Sequence, residues 1–478
     1  MTITSFVRFS FITCISLFLP LISAAKVELP YFFSNNMVLQ QQTKAAFWGT
    51  AKASATVTIT PSWNKKKYSV KADANGKWKT QIETPVAGGP YTITISDGQA
   101  IQLTNVLIGE VWLCTGQSNM EMPMKGYKDQ PILNSNDVIF NSANDLLRFY
   151  VVPRSAKLEP QDTSKKYDWK IAEPETTAGF SATAYYFGKL LQQRLQVPIG
   201  LVNISYGGST AEAWMNAATL QELFPEIKLP ATDVKPDNRT PTALYNGMLH
   251  PFIGFTIKGC IWYQGESNYE RPDQYEKLFP AMVNQWRKEF NQGDFPFYFA
   301  QIAPYNYAQL PPYNSGGKYN SAYLRDAQRK AVEKINNSGM VVLLDAGEEN
   351  NIHPANKAIV GQRFAYMALA QTYLQKGFAY ASPSLQKVNF ENGAATLQFN
   401  NAPNGFTSFG KPLTQFEIAG ADKHFRPAKA SIVRGNIVVS APEVKEPVAV
   451  RYAFKDFVVG ELFSTEGFPV SSFRTDDW

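Results

Sequence analysis

The stretch LIGEVWLCTGQSNMEM, residues 107–122, decides the fold class. Its first half is a mostly apolar run, of the kind a strand buried on both faces requires. Gly116 then allows a tight turn, and the residues from Ser118 onward read as the start of a helix. A buried strand that turns at once into a helix is the opening unit of an α/β sheet, whose ligands gather beyond the carboxyl ends of the strands.

Four more apolar runs follow: IGLVNIS (199–205), IKGCIWY (257–263), PFYFAQI (296–302) and MVVLL (340–344). Helical stripes separate them. Ala184, Phe187, Leu191 and Leu195 recur every three to four residues, as do Tyr275, Leu278, Met282, Val283 and Trp286. Leu324, Ala327, Ala331 and Ile335 make a third stripe, and Val360, Phe364 and Met367 a fourth. Pro280 is expected to kink the second. Strands alternating with helices predict a three-layer α/β domain over 107–384.

The flanks read differently. Residues 26–106 alternate with period two between turn residues, in segments such as ATVTITP and GKWKTQIE, which predicts an antiparallel β-sandwich module. The alternation returns over 385–478, a second β-rich module. Residues 1–25 carry Arg8, an apolar run from Phe9 to Ile22 and small residues to Ala25, the pattern of a secretory signal. Export to a periplasm or the medium is the expectation, with no membrane span in the mature chain. Cys14 does not sit in a lipidation context, which leaves Cys114 and Cys260 as buried free thiols.

Composition removes whole classes of function. The chain has 478 residues, 44% hydrophobic and 18% charged, enough for several packed domains and too apolar for disorder. The 46 Lys and Arg against 40 Asp and Glu leave a net charge of +6 without a basic block, so nucleic acid is not an expected partner. Three histidines and no CxxC or HxxxH spacing argue against a zinc centre. A histidine base must be His250, His353 or His424.

The strand ends carry the chemistry. After the first run comes CTGQSNMEM, after the second YGGSTAEAW, after the third QGESN, and after the last DAGEENNIHPANK. Ser118 stands on the turn as a candidate nucleophile, its backbone N–H at a helix start where developing negative charge is favoured. Position 120 is Met, so the GxSxG elbow does not apply. His353 follows the last strand and is the expected base. The Gly207-Gly208 pair can bring a backbone N–H close to an acyl oxygen, and Gln264 offers a side-chain amide, which with Ser118 N–H makes a three-donor oxyanion hole. Glu266 is a candidate buried orienter tied to the Ser118 loop, and Arg271 a candidate for a carboxylate at the rim. A two-carboxylate glycosidase would draw on Glu110, Glu121 or Asp345, which no spacing selects. A non-catalytic sugar binder would use Trp112, Trp214 and Trp262 as platforms, although tryptophans in or beside predicted strands are core by position.

Taken together, GEVWLCTGQSNMEMP, SYGGSTAEAW, WYQGESN and DAGEENNIHPANKAIVGQRFA resemble the four blocks of the SGNH hydrolases in the version carried by sialate O-acetylesterases. The likeness extends to LPYFFSNNMVLQQ, LYNGMLHP and GFPVSSFRTD, nearly the whole mature chain. It implies a flavodoxin-like SGNH domain with β-sandwich accessory modules, and hydrolysis of acetyl esters on sialic acid by a serine nucleophile without metal or cofactor. It assigns Ser118 as nucleophile, Gly208 and Gln264 to the oxyanion hole, and His353 as base. One position departs. Where such enzymes commonly place Asp three residues before the histidine, this chain has Asn350, so a main-chain carbonyl, Asp345, Glu348 or Glu349 must orient the ring, or nothing does. The substrate implied is an O-acetylated sialic acid or sialoglycan, with the 9-O-acetyl group foremost. Acetylated xylan or another glycan is the alternative.

Overall fold

The computed structural model describes residue 2, residues 26–310 and residues 320–478. Apart from residue 2, the expected signal, Cys14 included, lies outside the described residues.

Six strands run parallel: β1 (Ala100–Gly116), β2 (Asn144–Val151), β3 (Ile199–Ser205), β4 (Gly259–Tyr263), β5 (Phe297–Ala300) and β6 (Ser338–Val341). Their spatial order is β6-β5-β4-β1-β3-β2, with Lys170–Ala172 antiparallel on the outer edge of β2. β3 lies on one side of β1 and β4 on the other, so the winding reverses at β1, and a crevice opens at its carboxyl end. The register sharpens this, because Gly116 is paired with both Ser205 and Tyr263. Three of the four motif loops therefore leave the sheet at one level.

Helices cover both faces: α1 (Ser118–Glu121), α2 (Ala182–Leu195), α3 (Pro272–Phe290), α4 (Ser321–Lys334) and α5 (Lys357–Gln371). The side-chain alternation of a strand divides the core. Trp112 and Cys114 join Phe187 and Phe364 of α2 and α5, while Val111 and Leu113 face the cluster that holds Leu278 and Leu324 of α3 and α4. α3 continues through buried Pro280, which gives up one helical hydrogen bond without ending the helix. β2 was not expected. Its run holds Asn144, Asp145 and Arg148, and the Arg148 guanidinium turns back onto the Asp145 carbonyl at 2.8 Å, so charge conceals the strand.

The predicted boundary at residues 106 and 107 falls inside β1. The first part of that strand pairs antiparallel with Gly88–Ser96, while Val38–Gln40 runs parallel to Leu107–Gly109. The N-terminal β region also shares its core with the α/β region: the Phe32 ring lies tilted against Phe252 at 4.5 Å and edge-on to Phe255 at 5.2 Å. The C-terminal β region packs a separate core around Leu397, Phe416, Tyr452 and Phe473, which Val342 and Leu344 just after β6 join. It is fastened partly by buried Arg325 of α4, which donates to Ser472 Oγ at 3.0 Å and to the carbonyls of Ala453 and Asp456. Cys114 and Cys260 are buried free thiols in β1 and β4.

Candidate active site

At the end of β1 the backbone of Gly116 has φ +138°, and a Cβ there would stand 2.1 Å from the Tyr263 carbonyl oxygen. Only glycine lets β1 turn this close to β4. Gln117 N–H donates to that carbonyl at 3.0 Å, and the amide protons of Met120 and Glu121 return to the Gln117 carbonyl at 2.9 Å each. The single helical turn that results leaves the Ser118 N–H without an acceptor among the described residues, as the first amides of a helix are. The Ser118 hydroxyl is half-buried and makes no hydrogen bond to the described residues.

The loop after β3 presses on this turn. A Cβ on Gly207 would lie 3.3 Å from Ser118 Cβ, and Gly207 N–H donates to Glu121 Oε2 at 2.7 Å. Gly208 follows at φ +73°, a left-handed conformation that favours glycine. Its N–H has no acceptor among the described residues. Two unspent backbone donors thus border Ser118.

Gln264 does not supply the third. It is fully buried, and its Nε2 donates to the Ser209 carbonyl at 3.1 Å and to Asn268 Oδ1 at 2.6 Å, while Oε1 accepts from the Tyr275 hydroxyl at 3.2 Å. Both amide protons are engaged inside the protein, because the side chain turns under the loop instead of into the crevice.

His353 is half-buried, with its ring edge-on to Tyr127 at 5.5 Å. Its Nδ1 lies 2.6 Å from Gln130 Oε1. An amide oxygen can only accept, so Nδ1 carries the proton and Nε2 keeps its lone pair. Nε2 has no partner among the described residues. Burial, and secondarily the charge of Lys357, push the imidazolium down to about 4, so the ring is neutral at neutral pH. Gln130 closes the Tyr127–Gln130 turn, where the two residues exchange backbone hydrogen bonds at 3.1 Å. The sequence carries no signal for it: a glutamine 223 positions from its partner, with only a local turn around it.

The expected orienters are engaged elsewhere. Asn350 is exposed and accepts from Gln309 at 2.8 Å. Asp345 forms a two-pronged pair with Arg363 at 2.7 Å on each prong. Glu348 takes the Ala355 N–H at 2.7 Å, and Glu349 is exposed. Glu266 is buried and accepts from Asn119 Nδ2 at 2.6 Å. The same Nδ2 donates to the Ile352 carbonyl at 3.0 Å, and buried Lys357 Nζ donates to Asn119 Oδ1 at 2.5 Å. Asn119, next to the candidate nucleophile, thereby holds the residue preceding His353. Burial raises the Glu266 carboxyl and lowers the Lys357 ammonium to about 7.

The profile of the sialic acid-specific acetylesterases among the carbohydrate esterases matches residues 108–370, more than half of the chain. The protein belongs to that family. The chain is similar to the sialate O-acetylesterase of Homo sapiens, 30% identical over 390 residues that cover 75% of this chain and 73% of the human one. It is also similar to that of Mus musculus, 29% identical over 437 residues, covering 77% and 78%. A carbohydrate acetylesterase from Xanthomonas citri has the same fold, with TM-score 0.85 and 34% identity over 95% of this chain and 100% of that one.

The remaining candidates can be placed in this acetylesterase. Arg271 pairs with buried Glu212 at 2.7 Å and donates to Gln274 at 2.8 Å, so its guanidinium is already answered. Arg154, missed in the sequence, stands nearer the site: it grips Glu121 with two bonds of 2.6 Å and lies 4.7 Å over the Tyr206 ring, beside Gly207. His250 bonds the Gln161 carbonyl at 2.8 Å, and His424 is exposed on the C-terminal β region. Trp112, Trp214 and Trp262 are fully buried and offer no platform to a sugar. Glu110 is buried against Tyr373 and Gln41, and so faces no second acid. Among the described residues no cluster of His, Cys, Asp or Glu could hold a metal ion, and no helix is long and apolar enough to cross a membrane.

Proposed function

We propose that this family member is an exported serine esterase that removes O-acetyl groups from a glycan, with O-acetylated sialic acid, and its 9-O-acetyl group foremost, as substrate. One observation carries the reading. Among the described residues Ser118 Oγ and His353 Nε2 are without partners while Nδ1 of the same histidine is held by Gln130, and unspent N–H groups of Ser118 and Gly208 border the serine. Oγ attacks the acetyl carbonyl and its proton passes to Nε2. The oxyanion rests on the two backbone donors. Collapse breaks the bond to the sugar oxygen, which leaves with the proton from Nε2. Water, deprotonated by the same nitrogen, then releases acetate and frees Ser118. Gln130 acts as a positioning residue that fixes the ring's tautomer.

A second reading, an acetylated neutral glycan such as xylan, is favoured by the arginines. Arg154 and Arg271 both answer a carboxylate of the protein itself, so a sialate carboxylate would have to share one of them. Acetate release from 9-O-acetylated sialic acid and from acetylated xylan, by wild type and Ser118→Ala, decides between them. Loss on both substrates in the variant is expected, and activity surviving it overturns the nucleophile. N-terminal sequencing of the secreted chain, expected to begin at Lys26, tests export.

A further inference from the structure

A second cavity, of about 830 Å³, opens on the N-terminal β region and shares no lining residue with the Ser118 crevice. Its size is that of small-molecule sites. Tyr31, Trp48 and Trp78 line it, together with Lys77, Lys79 and Asp162. Trp78 is 3% exposed, and its indole N–H has no acceptor among the described residues. A buried orphan donor is costly unless something else satisfies it. Trp48 is half-buried and Tyr31 exposed, so aromatic surface faces the space.

The charges identify the visitor. Lys77 pairs with Asp162 at 2.7 Å, Asp73 accepts the backbone N–H groups of Asn75 and Lys77, and Lys79 lies 5.4 Å over the Trp48 ring. The wall also includes Glu28, so three acids stand against two lysines. Such a rim does not attract an anion. It suits a ligand with apolar C–H faces for the aromatic rings and hydroxyl groups for the polar rim and the indole. We infer that this cavity binds a neutral oligosaccharide segment and holds a glycan chain at a place separate from the esterase centre.

Calorimetric titration of the full chain carrying Ser118→Ala reads binding without turnover, with cellohexaose and xylohexaose as neutral probes and N-acetylneuraminic acid as the anionic one. A neutral hexasaccharide is expected to bind, and Trp48→Ala to weaken it about tenfold. Trp78→Phe keeps the ring, removes the N–H and is expected to weaken it as well, which guards against a folding artefact in either variant. Hydrolysis of p-nitrophenyl acetate by Trp48→Ala in the otherwise wild-type chain should be unchanged. No heat from either neutral probe, affinity unchanged from the parent chain in both tryptophan variants, or a preference for the sialic acid overturns the inference. None of these outcomes bears on Ser118, whose role is read from hydrolysis.

Discussion

The two sides of the crevice are built from the same kinds of residue and used in opposite ways. On the Ser118 side the hydroxyl, the Gly208 N–H and His353 Nε2 are left without partners among the described residues. On the β4 side Gln264 and Asn268 are buried and bonded through their side-chain amides, as is Asn119 beneath the serine turn. The difference teaches where an esterase can keep unsatisfied polar atoms. They are cheap at a half-open crevice where water or substrate reaches them, and costly in the interior, where a lost hydrogen bond is not replaced. The saturated side is the bracket that holds the unsaturated one in place.

The sharpest break of this contrast is Ser118→Ala. Acetate release should fall by about 10⁴ or more, while the melting temperature barely moves because Oγ has no partner to lose. The reverse pattern is expected for Lys357→Met, which leaves buried Glu266 without its compensating cation and Asn119 without a donor. About 3–5 kcal/mol of stability should be lost in urea unfolding, and the Glu266→Gln partner change should restore part of it. Gln264→Leu belongs with the bracket: a cost of about 1–3 kcal/mol in stability is expected. A loss of kcat of about 10²–10³ in a variant that stays fully folded would instead make Gln264 an oxyanion donor.

The smallest effect is the most diagnostic. The base must be neutral, and His353 takes up a second proton, on Nε2, only below about pH 4, so kcat/KM should rise with pH through that value and then level. Gln130→Ala should lower kcat about tenfold or more without unfolding the chain. Gln130→Glu places a carboxylate on Nδ1, favours the imidazolium, and should move the acid limb upward by about 1–3 pH units. A limb that stays in place in Gln130→Glu would show that the 2.6 Å contact does not govern the ring.

Much of the scaffold is legible without coordinates. IGLVNIS appears as β3 at its predicted ends, and the four helical stripes appear as α2 to α5. Burial on both faces selects continuous apolar runs, and helix packing selects a period near 3.6, so each leaves a local mark. β2 escaped because its polar residues break the run. The boundary before residue 107 was misplaced because one strand serves two regions, and a change in sequence pattern marks a change of neighbours, not a break in the chain.

By itself the sequence determined that small and ionisable residues end the central strands, and that Ser118 and His353 are the pair to examine. Those are statements about a residue and its immediate chain. Only the tertiary structure decided that Gln130 holds His353, that Gln264 is turned inward, that Arg271 is already paired and that Asn119 ties two loops together. A hydrogen bond depends on where two distant loops come to rest, to within a few tenths of an ångström. Which polar group is spent and which is left open is therefore settled by the assembled fold.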